Sequence, residues 1–171
     1  DSFWDAPFMY PEKSMISYSD NLLGSAPIYS FFRILGMDTF LSYQMWYIAV
    51  SSLNYLCAYY FLQLVFKNYW PAIIGAFIFA FSLSLQSQLT HAQTFPRFAI
   101  PLTFLLAVKF SDNLHPKYFL FTLLMLVYQI YCGIYLGFML AVPLGIFLIL
   151  IIVQKVVSKQ FNVLNIRWIA W

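Results

Sequence analysis

The sequence predicts an all-α protein, a polytopic transmembrane bundle of about five spans preceded by an extracytoplasmic loop that contains a short interfacial helix. Three observations carry that expectation. Hydrophobic residues make up 63% of the 171 and charged residues only 9%, whereas a soluble domain is about one-quarter charged. Mean hydropathy is +0.77, and apolar runs long enough for membrane helices recur along the chain. Aromatic residues reach 22%, with 19 Phe and 13 Tyr, a share that suits repeated contact with the membrane interface. The net charge of +3 is too small to imply nucleic acid as a partner. The lipid bilayer is the partner that this composition demands.

Residues 1–39 form the polar N-terminal part, an acidic loop ending in a short helix. Asp1, Asp5, Glu12 and Asp20 alternate with Phe3, Trp4, Phe8 and Tyr10, and Pro7 and Pro11 punctuate the run. From Ser25 the pattern turns helical: Ser25 can cap, Pro27 suits the first turn and Gly36 suits the stop. Ile28, Phe31, Phe32, Ile34 and Leu35 give that helix a broad apolar side, expected to lie flat on the membrane surface. No span or signal peptide precedes it, so the chain reads as part of a larger polytopic protein whose N-terminal anchor lies upstream.

Residues 40–153 read as the transmembrane bundle. Phe40–Phe66 is the first span, capped by Asp38 and Thr39 and closed by Lys67-Asn-Tyr69. Trp70–Leu85 is the second, with Ala72, Ala76 and Ala80 recurring every fourth residue beside Gly75, a stripe that permits close helix packing. Phe98–Phe110 is a short third span, stopped by Lys109 and by the polar run Ser111–Pro116. Lys117–Val153 is too long for one crossing, and Tyr131-Cys-Gly-Ile-Tyr135 is its natural break. Two spans follow from that break, Tyr118–Tyr131 and Ile134–Val153. Residues 154–171 form a basic segment leading toward a possible further span. Cys57 and Cys132 sit in apolar runs, where buried thiols are expected rather than a disulfide or metal site.

Charge placement orients this threading. The loops at 67–69, 109–117 and 154–167 carry six basic residues against Asp112 alone, and the opposite side carries three against five acids. The lysine-rich side marks the cytoplasm. The acidic loop, the polar island Gln86–Arg97 and the Tyr131–Tyr135 break then all face outward. On that face the candidate residues for chemistry are Asp5, Asp20, His91, Gln93, Arg97, Tyr131 and Tyr135. A carboxylate among aromatics can act as general base, whereas Glu12 beside Lys13 reads as a solvated acid. Arg97 suits a phosphate because its fork binds two oxygens. The competing readings are plainer. Arg97 and His91 can anchor helix ends, the tyrosines can be interfacial belt residues, and Gly133 with Gly137 can be a packing pair.

The order Trp4-Asp-Ala-Pro-Phe-Met-Tyr-Pro11, Tyr18-Ser-Asp-Asn-Leu-Leu-Gly24, Ala80-Phe-Ser82, Gln88-Leu-Thr-His-Ala-Gln93 and Tyr131-Cys-Gly-Ile-Tyr135 resembles bacterial membrane glycosyltransferases of the GT-C superfamily. The resemblance covers roughly residues 1–140, the N-terminal half of such proteins. It implies a donor sugar carried on polyprenyl phosphate, an essential acidic residue at Asp5 or Asp20, and His91 and Arg97 near the lipid phosphate; Gln93, Tyr131 and Tyr135 complete the expected substrate-binding set as outer-face candidates. It also implies residence in the bacterial plasma membrane. The sequence itself requires no cofactor, although a divalent metal is compatible with outer-face carboxylates. Two other function classes stay open. A non-catalytic subunit would pack against other membrane subunits through the same apolar faces. A transporter is disfavoured because no acid or base lies deep within a predicted span; Asn54 and Gln63 are the strong polar side chains inside the first.

Overall fold

The computed structural model describes residues 22–82 and 91–157. Among these residues the regular structure is entirely helical: α1 (Ala26–Ile34), α2 (Thr39–Phe66), α3 (Tyr69–Phe81), α4 (Ala99–Asn113), α5 (Pro116–Cys132) and α6 (Ile134–Val157), with a single 3-10 turn at Ala92–Thr94. Asp5 and Asp20 lie outside the described residues, as does the tail beyond Val157.

Local chemistry accounts for most boundaries. Asp38 caps α2 by accepting from the Leu41 amide at 2.8 Å, and Asn68 caps α3 by accepting from the Trp70 amide at 3.1 Å. Lys67 closes α2 in the left-handed conformation with its N–H on Gln63 O. Ser25 stands at the start of α1, but its hydroxyl donates to Leu22 O at 3.3 Å and makes no cap bond into the helix. Pro27 supports that first turn instead. Helix α4 runs past Lys109 to Asn113. Leu114, at φ 51°, ends it with its N–H on Phe110 O. Pro116 opens α5.

The helices pack around α2. Helix α3 folds back along it through Ala72, Ala76 and Ala80, all fully buried, and a Cβ on Gly75 would come within 2.7 Å of Leu62 Cδ1. The small-residue stripe is therefore a packing surface. Helices α4 and α5 form a second close pair, α6 lies against α5, and α1 runs beside the N-terminal part of α2. Trp46 and Val50 of α2 meet Phe95 in one core cluster, joined by Ile28 and Tyr29 of α1. Helix α1 thus has one side seated on α2, while Phe31, Ile34 and Leu35 are exposed.

Two helices, α2 and α6, are long and apolar enough to cross a membrane. Helices α3, α4 and α5 have 13, 15 and 17 residues, or about 20, 22 and 26 Å of rise, short of a ~30 Å hydrocarbon core. The late start of α4 has a cause in the packing. That helix begins only at Ala99 because the Phe95–Arg97 backbone before it is bonded to Asn54 near the middle of α2. Apolar side chains cover the outside: Phe138, Met139, Val142, Ile146, Ile149 and Leu150 of α6 are all exposed, where a helix on a soluble protein would present polar groups.

Candidate functional site

The Phe95–Arg97 end of the polar island lies beside the middle of α2 rather than over its end. Asn54, fully buried near the middle of that helix, holds the island's backbone with both ends of its amide. Its Nδ2 donates to Phe95 O at 2.8 Å, and its Oδ1 accepts from the Arg97 N–H at 3.0 Å. Gln129 of α5 reaches the residue between them, donating from Nε2 to Pro96 O at 2.8 Å. Three consecutive backbone units outside any helix are therefore satisfied by two buried amides. Pro96 has no N–H to place, so one donor and two acceptors are matched without water. Each such group, left bare, would cost about 1–3 kcal/mol.

Above this clamp the island winds as linked turns. Thr94 N and Thr94 Oγ1 both donate to His91 O, at 2.9 and 2.8 Å, and Arg97 Nε donates to Thr94 O at 2.6 Å. His91 and Arg97 are thus joined through Thr94 rather than facing each other directly. Arg97 is half-buried. Its guanidinium remains a cation at neutral pH. Neither Nη atom has a hydrogen-bond partner among the described residues.

The break between α5 and α6 closes the site from the other side. Gly133 is extended, with its N–H on Gln129 O. A Cβ there would come within 2.7 Å of Gln93 O, so only glycine admits the island this closely. The Gly24 N–H donates to Tyr131 O at 2.8 Å, and Tyr128 Oη donates to Gly24 O at 2.6 Å. A Cβ on Gly24 would press on Cys132 Sγ and its amide nitrogen. Gly24, the Gln93–Arg97 part of the polar island and the Tyr131–Gly133 corner are therefore assembled in one place.

No family model, curated protein or solved structure matches this chain. The candidate site accordingly stands on its geometry.

Of the residues singled out from the sequence, His91, Gln93, Arg97, Tyr131 and Tyr135 lie in the segments brought together. Their side chains differ in setting. Arg97 and Gln93 are half-buried. His91 is exposed, and Tyr131 and Tyr135 have 51% and 76% of their surface open. Tyr131 contributes its backbone carbonyl to the junction. Among the described residues no cluster of three or more His, Cys, Asp or Glu could hold a metal ion, and Cys57 and Cys132 are free thiols. A cavity of about 200 Å³ opens between α1, α2 and the island, lined by Tyr29, Tyr43, Trp46 and Ala92 among others. A larger apolar cleft of about 340 Å³ between α2, α3 and α4 has no polar group to do chemistry.

Gln129, Gly24 and Tyr128 were not visible as site residues in the sequence, and Asn54 stood out only as a polar side chain inside a span. The usable signal is an amide within an apolar run, Asn54 in one and Gln129 in another. An amide buried in such a run needs partners, and neighbouring helices satisfy their own backbones, so a non-helical segment is the natural one.

Proposed function

We propose that this chain is part of a membrane-embedded glycosyltransferase that uses a polyprenyl-phosphate sugar on the extracytoplasmic face. In this reading the helices thread the bilayer five times, with α1 at the outer interface and the lysine-bearing turns in the cytoplasm. The short helices serve as spans because they pack against the two full-length ones. The chain resides in a bacterial plasma membrane.

One observation carries the proposal. Gly24, four residues after Asp20 in the sequence, is bonded to Tyr131, while the island bearing Arg97 is clamped beside Gly133. Gly24, to which the carboxylate-bearing segment leads in the sequence, and Arg97, whose Nη atoms have no partner among the described residues, thereby lie on one side of the bundle. Glycosyl transfer from a lipid phosphate needs a carboxylate and a cation. A carboxylate takes the proton from the acceptor hydroxyl as it attacks the sugar carbon. A cation stabilises the departing phosphate. Asp5 or Asp20 fills the first role, and Arg97 the second, with His91, Gln93, Tyr131 and Tyr135 around the substrate.

The test is sugar transfer by the full-length protein. Asp5→Asn or Asp20→Asn should abolish transfer with membrane insertion unchanged, and Glu12→Gln should be mild. Equal, small effects at all three positions would instead point to a non-catalytic subunit.

A further inference from the structure

We infer that the Phe95–Arg97 break is recessed inside the membrane, so that Arg97 forms an anion site for a phosphate about 10 Å beneath the outer surface. The inference rests on the five-span reading and concerns depth, which that reading leaves open.

Three helices measure the depth independently. Asn54 and Lys67 are 13 residues apart along α2, Lys117 and Gln129 are 12 apart along α5, and Ala99, two residues after Arg97, is 10 from Lys109 along α4. These separations correspond to about 20, 18 and 15 Å of helix rise. The clamp residues and Arg97 therefore lie at one level, and three lysines lie at another. The lysine level is polar throughout: Asn68 accompanies Lys67, and Ser111, Asp112, Asn113 and His115 lie between Lys109 and Lys117. Those turns cannot enter hydrocarbon. With a core ~30 Å thick, a level ~20 Å above them is still about 10 Å short of the far surface.

Helix α2 supplies the remaining distance. It continues beyond Asn54 to Thr39, and the exposed Tyr43 lies 11 residues above Asn54, or about 16 Å. Aromatic residues of this kind mark the interface. Helix α6 is the exception. From Gly133 to Lys155 it covers 22 residues, about 33 Å, and its lower end passes the lysine level.

Non-helical backbone at such depth is tolerated where protein buries it, and that condition applies. Asn54 and Gln129 satisfy the Phe95–Arg97 backbone. Neither Arg97 Nη atom has a hydrogen-bond partner among the described residues. An ionisable group at this depth marks a functional position, and the planar fork fits a phosphate.

The experiment measures depth and binding on the full-length protein in nanodiscs, with Cys57 and Cys132 replaced by alanine. Nitroxides are attached at Gln93→Cys, Tyr135→Cys and Phe40→Cys, and relaxation by gadolinium-chelate headgroups reports distance from the surface. Tyr135 is exposed, two residues after Gly133, and guards against misfolding of the Gln93 variant. Both labels should lie about 10 Å below the headgroups and the Phe40 label at or above them. Placement of both at headgroup level, over a thinned bilayer, overturns the recess. Binding of a polyprenyl phosphate in the disc and of inorganic phosphate in solution is then compared. Loss of about tenfold or more with Arg97→Gln is expected for whichever binds. Binding of the lipid alone assigns a lipid-borne phosphate, and binding of both assigns a site open to water. Binding of neither, or no effect of Arg97→Gln, overturns the anion site. Labels at Ser14 and Ser158 test the five-span threading separately, so its failure is distinguishable from failure of the recess.

Discussion

Replacing Asn54 by leucine removes the amide while keeping the branched side-chain shape, and it should be among the most damaging single changes in the bundle. Two backbone groups lose their partners, Phe95 O and Arg97 N–H, now held at 2.8 and 3.0 Å. Side-chain hydrogen bonds between membrane helices contribute only ~0.6 kcal/mol on average, because each partner finds another in the unfolded chain. Here the abandoned groups belong to irregular backbone packed against Trp46 and Val50. The fuller cost of a buried unsatisfied group applies, about 1–3 kcal/mol each, or ~2–6 kcal/mol for both. Gln129→Leu provides the internal comparison. It orphans Pro96 O alone and also removes an oxygen that already lacks a partner, so its net cost should be smaller. Steric trapping in bicelles would measure both free energies. Wild-type stability for Asn54→Leu, or a larger loss for Gln129→Leu, would refute the view that Asn54 holds the break.

Other outcomes follow from the same contacts. Gly133→Ala should destabilise the fold by about 1–3 kcal/mol, since the new methyl meets Gln93 O. Gly145→Ala, with nothing within 4 Å of its added Cβ, should be neutral or slightly stabilising in the same assay. Cysteines at Ser14 and Ser158, with Cys57 and Cys132 replaced, should label from opposite sides of the membrane; labelling from one side would reject the charge-based orientation. Arg97→Lys should weaken phosphate binding because a point charge replaces a fork. If Arg97 only anchors the chain at the interface, lysine will match wild type and Arg97→Gln will lower the yield of inserted protein instead.

The helical class and most helix ends were legible in the sequence because they depend on neighbours a few residues apart. Asp38 before an apolar run, Lys67-Asn-Tyr69 after one and Gly133 within a break in a run too long for one helix all act locally. The Ala72–Ala80 stripe was legible for the same reason, since a period of four defines one face of a helix. The convergence of the Gly24, island and Tyr131–Gly133 segments was foreseen only as a shared side, from loop charge. Their contact, the seating of α1 on α2 and the position of the break beside Asn54 were decided by tertiary structure. The bonds responsible join residues 41, 33 and 104 positions apart, and hydrophobic periodicity carries no information about such pairs. An amide in an apolar run announces that it needs a partner, but helix packing chooses the partner. Here packing brought α2 and α5 around the same three backbone units, and that set the depth at which Arg97 sits relative to the helices.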